Sequence, residues 1–399
     1  MKIGIVTTWF ERGAAYVSKQ YEQLLEKEND VFIYARGGEK YAKGNDIWDR
    51  KNVTWGAKAI FQINGTPINK KDFKQWINTN KIEILLFNEQ QWWPPVVWAK
   101  EWGIKVGSYI DYYTEETVPL FEIYDFLICN TMRHYSAFSW HNNCHYLPWG
   151  TDINLFTPQE KKKDIGKLVF FNSAGHNPDR KGVGPLLLAF NKVSSNKNVK
   201  LVIHTQVNLK NYYPHLSDII DKLLQHNKLE VITQTVSAPG LYYLADVYCY
   251  ISKLDGIGLT VPEALSCGLP VITPNNAPMN EFIQDNVNGK LVDVQKLFCR
   301  KDAYYWPQLE VNDESLVNCL QYYIDNIKKI DMYKKDARKY AVDNLNWFQR
   351  EDELANIFYN SIKNNIGKDI IKKIKFYEIK EYLSKLYTLP IRIYKNISR

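Results

Sequence analysis

Asp255 and Glu263 stand eight positions apart in the stretch DGIGLTVPEALSCGLP, Asp255 to Pro270, with two glycines and a proline between them. Their carboxylates accept hydrogen bonds from hydroxyls and repel phosphate. The backbone N–H groups between them have the opposite preference. An apolar, aromatic run, Ala245 to Ile251, precedes the stretch and reads as a buried strand. Gly256 and Gly258 then make a turn, and a helix follows until Gly268-Leu269-Pro270 stops it. Pro262 suits the first helical turn, where its missing N–H has no partner to lose. The helix start leaves N–H groups and the positive end of its dipole above the Gly256-Ile257-Gly258 turn, where an anion is the natural occupant. Amides for a phosphate beside carboxylates for sugar hydroxyls point to a nucleotide sugar. A structural alternative stands beside this one: Thr260-Val261-Pro262-Glu263 fits a capping box, in which Glu263 satisfies only the Thr260 backbone N–H.

The elements needed to position such a site recur along the chain. Lys2 to Thr8 reads as a strand, Glu11 to Ala15 as a glycine turn, Tyr16 to Glu28 as a helix and Val31 to Ala35 as a strand, one β-α-β unit. Further strands are expected at Ile82 to Phe87, Ile104 to Ile110 and Asp125 to Cys129. The alternation implies an α/β, doubly wound parallel sheet with its ligand at the carboxyl ends of the strands, near Gly13 and Asp111. A second series begins after Pro148-Trp149-Gly150-Thr151-Asp152. Its strands are expected at Lys167 to Asn172, Lys200 to Thr205, Leu229 to Thr233, Ala245 to Ile251 and Leu269 to Thr273, with a polar loop at Ser173 to Lys181 and a helix at Val183 to Val193. Residues 1–150 and 151–340 are thus expected to form two Rossmann-like domains facing each other across a cleft. A C-terminal helix at 341–365 returns to the first domain, within the helical stretches Glu314 to Asn344 and Glu351 to Asn364. Residues 366–399 form a basic tail, amphipathic until Pro390 interrupts it.

In this order the motifs resemble the retaining GT-B glycosyltransferases of family four, also called glycosyl transferases group 1, which use nucleotide-diphosphate sugars. The resemblance runs from Met1 to about Asn364. Asp255 and Glu263 match the family's Glu-x7-Glu motif, with Asp in place of the first Glu. NNAPMNEFIQDNVNGKLV (Asn275 to Val292) follows as it does in the family, PWGTDINLFTP (Pro148 to Pro158) resembles its hinge, and SAGHNPDRKG (Ser173 to Gly182) resembles its Gly-Arg-x4-Lys-Gly phosphate loop. The resemblance implies that Lys181 grips the diphosphate and neutralises the leaving group. His176 stands where Arg is usual, and Arg180 is placed to supply the second cation. Glu263 would hold the donor ribose and Asp255 the transferred sugar. Gly256, Ile257, Gly258, Leu259 and Thr260 would present amides, Val236 would join the donor contacts, and Gly13 would admit the β-phosphate close to the backbone. Asp111 takes the place of a histidine near the sugar, as a catalytic or acceptor-binding carboxylate or as a cap for the following turn. Glu115 and Glu116 extend a carboxylate rim for a hydroxylated acceptor, and Trp92 and Trp93 form either a platform for a sugar or lipid-phosphate acceptor or ordinary core.

The resemblance implies transfer of a hexose or N-acetylhexosamine from a UDP- or GDP-sugar to a hydroxyl, on a glycan or a lipid-linked acceptor, with no metal and no cofactor beyond the donor. Its rivals are a GT-B epimerase or hydrolase, and a non-catalytic nucleotide-sugar-binding protein. Composition narrows the field. The formal net charge is +7, and Lys363 to Arg399 alone holds ten Lys or Arg against three acids, 10 − 3 = +7, so the rest is neutral. That tail is suited to an anionic membrane surface, and nucleic acid is not the expected partner. No run of 18 apolar residues spans a bilayer, and the opening MKIGIVTTWF reads as a strand, so a cytoplasmic protein is expected, at most at the inner face of a membrane. Six scattered cysteines without a Cys-x-x-Cys pair fit reduced thiols. His141-Asn142-Asn143-Cys144-His145 lacks zinc spacing, and no metal site is expected.

Overall fold

The computed structural model describes residues 1–37, 41–58, 65–160, 164, 166–365 and 367–397; for 388–397 it describes the backbone only. Ser398 and Arg399, counted with the tail above, lie outside the described residues, as does Ile366. The chain divides into two units, Met1–Asn130 with His134–Pro148 and Arg350–Arg399, and Thr131–Arg133 with Trp149–Gln349.

Unit 1 is built on seven strands: β1 Lys2–Thr7, β2 Asp30–Ala35, β3 Val53–Trp55, β4 Ile84–Phe87, β5 Lys105–Tyr109, β6 Phe126–Cys129 and β7 Cys144–Tyr146. All pair in parallel, in the order β3-β2-β1-β4-β5-β6-β7. Runs such as ILLF and FLIC are buried along their whole length because helices cover both faces, as a parallel sheet requires. The helix Gly13–Leu25 begins at Gly13 itself, so the expected turn at Glu11 to Ala15 is shorter than its residues suggest and Ala14 and Ala15 are already core. β3 and β7 are strands of three residues, too short to show a period.

Unit 2 has six parallel strands, β8 Leu168–Gly175, β9 Val199–Thr205, β10 Leu229–Ile232, β11 Val247–Cys249, β12 Val271–Pro274 and β13 Gly289–Val292, ordered β10-β9-β8-β11-β12-β13. β8 runs on to Gly175, into residues expected to be loop, and an antiparallel hairpin, β14 Val294–Phe298 with β15 Gln308–Val311, follows the sheet. The strand order reverses between β8 and β11, which pair at Phe170 with Val247 and Phe171 with Tyr248. In open α/β sheets the crevice beyond the carboxyl ends of two such strands is where ligands bind. The segment after β8 is His176–Gly182, and the segment after β11 leads to Asp255.

The expected helix Glu314 to Asn344 is two helices, Asp313–Asp325 and Ile330–Asn344, with a short 3-10 turn between them. Asn312 caps the first through its side chain. Trp149 and Trp347 pack with ring centroids 4.7 Å apart inside unit 2, and Thr151 N–H donates to Leu345 O at 2.7 Å. The helix Glu351–Asn360 packs in unit 1, where Phe358 meets Phe126 at 5.1 Å. The tail is one helix, Lys368–Ile397; it continues through Pro390 where an interruption was expected.

One buried carboxylate secures that C-terminal segment to the first sheet. Asp125, fully buried, accepts from Lys100 Nζ at 2.5 Å, from Val106 N–H at 2.7 Å and from Asn364 N–H at 2.6 Å. Removing one partner of a buried pair strands the other charge, at a cost of about 3–5 kcal/mol. Asp125→Ala is therefore expected to lower the urea-unfolding free energy of unit 1 by that amount and to expose the segment around Asn364 to protease. A loss below about 1 kcal/mol, the size of an exposed pair, would show that Asp125 does not anchor it.

Candidate active site

The cation of the loop after β8, His176–Gly182, and the first carboxylate meet. Lys181 Nζ lies 2.5 Å from Asp255 Oδ2 and 2.6 Å from the Tyr250 hydroxyl, and it sits over the Tyr250 ring at 4.7 Å from the centroid. Tyr250 in turn donates its O–H to Asp255 Oδ2, and Ser252 Oγ donates to the same oxygen at 3.2 Å. The loop is held in place by its backbone. Lys253 N–H donates to Arg180 O at 2.8 Å, Lys253 Nζ pairs with Asp179 at 2.7 Å, and Asn172 Nδ2 donates to Cys249 O at 2.7 Å, continuing the β8–β11 contact where the ladder ends. Gly182 ends the loop at φ +67°, and a Cβ there would lie 1.9 Å from Ile251 O. Only glycine permits that approach.

Burial works against both charges of the pair. For Asp255 the nearby Lys181 and Arg180 charges, with the hydrogen bonds from Lys181 and Tyr250, overcome it and hold the carboxyl at about 2. For Lys181 burial prevails: with the repulsion of Arg180 it lowers the ammonium below its ordinary value against the pull of Asp255. Nζ carries three N–H groups, and two are spent on Asp255 and Tyr250. Among the described residues nothing takes the third, and nothing donates to Asp255 Oδ1.

Glu263 is in the opposite state. The helix that carries it, Thr260–Ser266, starts with Leu259 before it and no side-chain cap, so the capping box does not form. Instead the Tyr242 hydroxyl donates to Glu263 Oε2 at 2.6 Å. Burial raises the carboxyl to about 7, more than the Tyr242 bond lowers it. Tyr242, Tyr248 and Tyr250 form a row, with ring centroids 5.6 Å and 6.0 Å apart, that leads from one carboxylate to the other. None of the three tyrosines was expected at the site. The readable signal was the alternation in Val247-Tyr248-Cys249-Tyr250, which puts two tyrosines on one face of a strand.

The other expected residues are spread more widely. Arg180 is half-buried, His176 is exposed and Val236 is half-buried. Among the described residues the N–H groups of Ile257, Gly258, Leu259 and Thr260 have no acceptor in the chain, with Gly258 at φ +84°. The helix they lead into, Thr260–Ser266, has seven residues, so its dipole is weaker than the sequence suggested. In unit 1, Gly13 opens a helix and Asp111 is half-buried. Glu115 is exposed, and Glu116 accepts from Lys380 Nζ at 2.7 Å and 2.8 Å. Trp93 is 3% exposed and packs edge-on against Phe121 at 5.1 Å. It is core, and the platform reading fails for it because its ring has no free face; Trp92 is half-buried against Trp98. Among the described residues no three His, Cys, Asp or Glu side chains gather as metal ligands. A cavity of about 490 Å³ in unit 2 shares Tyr242 with this site and is otherwise lined by residues such as Cys267, Lys334, Lys335 and Arg338, and by none of Lys181, Asp255 and Glu263. One of its cations is structural: Arg338 donates to the carbonyls of Ile153, Phe156 and Ser266.

Two doubly wound parallel sheets, with a cation loop and a carboxylate segment at the switch point of the second, define the GT-B class of glycosyltransferase folds. The solved structure of Anabaena Alr3699/HepE in complex with UDP and glucose has this fold. It superposes at a TM-score of 0.70 and 15% identity, over 90% of this chain and 100% of that one. Residues 156–297, within unit 2, match the family model described as glycosyl transferases group 1. An uncharacterised glycosyltransferase of Methanocaldococcus jannaschii is 28% identical over 208 residues, 50% of this chain and 49% of the relative. A probable sucrose-phosphate synthase of Thermosipho melanesiensis is 25% identical over 226 residues, 53% of this chain and 49% of the relative. The chain spans about half the length of the curated relatives it matches.

The raised Glu263 pKa makes a signed prediction. Between its ordinary 4.5 and about 7 the folded chain keeps a proton that the unfolded chain releases, so stability falls as pH rises through that window. Relative to wild type, Glu263→Gln is expected to gain on the order of 1–3 kcal/mol between pH 5 and pH 8. Thermal melts across the window read this directly, and parallel pH profiles for the two proteins would contradict it.

Proposed function

We propose that the protein is a retaining glycosyltransferase that moves a hexose or N-acetylhexosamine from a UDP- or GDP-sugar to a hydroxyl on a glycan or lipid-linked acceptor, in cell-surface polysaccharide or glycan synthesis. The observation that carries this reading is the Lys181–Asp255–Tyr250 cluster at the switch point, with one ammonium N–H and one carboxylate oxygen uncommitted among the described residues. A diphosphate needs the first and a sugar hydroxyl the second.

In the proposed reaction the β-phosphate leaves the anomeric carbon while the acceptor hydroxyl attacks from the same face, and the departing phosphate oxygen takes the hydroxyl proton. Negative charge builds on the bridging oxygen as the bond breaks. Lys181, fixed by Asp255 and Tyr250 before the donor arrives, meets that charge without reorganising, and Arg180 adds a second cation beside it. With cations supplied by the chain, the proposal includes no metal. Asp255 Oδ1 orients the sugar, and Glu263 accepts from the ribose hydroxyls. Because hydroxyls donate better to a carboxylate than to a carboxylic acid, nucleotide binding should strengthen as Glu263 ionises near pH 7. Gly13 and Asp111 of unit 1 stand in the proposal for donor approach and acceptor binding, with Glu115. The compartment proposed is the cytoplasm.

Loss of one preorganised cation at a developing oxyanion costs about 10²–10³ in turnover. Lys181→Ala is expected to lose at least that much donor consumption, measured on a panel of UDP- and GDP-sugars with circular dichroism confirming the fold. Wild-type rates in the folded variant would remove Lys181 from the mechanism.

A further inference from the structure

The helix Lys368–Ile397 is apolar on two opposite faces. Ile370 and Ile374, one turn apart, are 3% and 1% exposed. Glu378, a further turn on, accepts from Trp93 N–H at 2.9 Å. This face docks the helix on unit 1 near the segment Val118–Ile123. Phe376, Ile379, Leu383 and Tyr387 follow one another at spacings of three and four residues, so they line a second stripe on the far side. They are 71%, 60%, 58% and 82% exposed. Docking accounts for the first face only. The second has no cover among the described residues.

Charge says what covers it. Lys373 and Lys375 are exposed on the two edges of the stripe and Lys372 at its start, while Lys380 is paired with Glu116; all lie within the segment whose ten basic and three acidic residues equal the whole net charge of the chain. A helix with an apolar stripe between lysines matches the boundary between acyl chains and anionic headgroups. A second copy of the helix would cover the stripe but bring like-charged rims together. Nucleic acid would use the lysines and leave Phe376 and Leu383 in water. No helix among the described residues is long and apolar enough to cross a membrane, so this would be contact with a surface.

We propose that the outer face of this helix binds anionic lipid bilayers, with Phe376, Ile379, Leu383 and Tyr387 entering the headgroup boundary and the lysines meeting phosphates. The inference does not depend on the transferase reading. Its test is co-sedimentation of the full chain with phosphatidylcholine vesicles, with and without phosphatidylglycerol. Wild type is expected to pellet only with the anionic vesicles and to be released by salt, because exposed charges are screened over about 10 Å at 0.1 M. The triple variant Phe376→Ser, Ile379→Ser, Leu383→Ser and the double variant Lys373→Glu, Lys375→Glu change exposed residues only, so both keep the fold. Each is expected to bind anionic vesicles at least about tenfold less. Equal pelleting of wild type and the serine variant overturns the proposal, as does failure of wild type to pellet. A wild-type dimer that the serine variant turns into monomer assigns the face to a second copy. Duplex DNA binding lost only in the glutamate variant assigns it to nucleic acid. Either result also overturns the lipid assignment.

Discussion

The ion pair between Lys181 and Asp255 is the contact on which the second unit's site depends. Neither charge is tolerable alone where it sits: side-chain exposure is 16% for the lysine and 17% for the carboxylate. Their meeting requires two segments, distant in sequence, to leave adjacent strands in the same direction. The reversal of strand order between β8 and β11 supplies this, and the backbone bond from Lys253 to Arg180 with the close approach of Gly182 to Ile251 fixes the distance. Tyr250 completes the cluster by accepting from the ammonium and donating to the carboxylate, so the three groups hold one another in place and leave one ammonium N–H and one carboxylate oxygen for a ligand.

The two carboxylates of the Asp255–Glu263 stretch are held in opposite electrostatic states by neighbours that are chemically alike. A tyrosine hydroxyl donates to each. The difference is a cation: Asp255 has Lys181 and Arg180 beside it and stays ionised down to about 2, whereas Glu263 has only burial and Tyr242 and titrates at about 7. Pairs of carboxyls whose surroundings drive their pKa values apart are suited to different tasks, one a permanent anion and the other responsive to its ligand.

Much of this was readable in the residues. Strands such as Lys2 to Thr8 and Lys200 to Thr205 are apolar runs long enough to announce themselves, and their alternation with helices implied parallel sheets. The loop at Ser173 to Gly182 and the stretch at Asp255 were visible as motifs. What was not readable depends on tertiary contact. The strands Val53–Trp55 and Cys144–Tyr146 are defined by their neighbours, since three residues carry no periodicity. The capping box at Thr260 is a local pattern overridden when burial turned Glu263 toward Tyr242. Trp93 belongs to a pair-rich aromatic sequence whose burial only packing against Phe121 reveals. The helix through Pro390 shows the converse, a local breaker absorbed within a long helix.

In the proposed site the Lys181 side chain holds the diphosphate and the Glu263 side chain the ribose of one nucleotide. A crystal structure of the full chain with UDP or GDP tests it most directly. Phosphate oxygens are expected within hydrogen-bond distance of Lys181 Nζ, and ribose hydroxyls on the Glu263 carboxylate. A nucleotide found instead in the cavity lined by Lys334, Lys335 and Arg338, with Lys181 still bonded only to Asp255 and Tyr250, would contradict it.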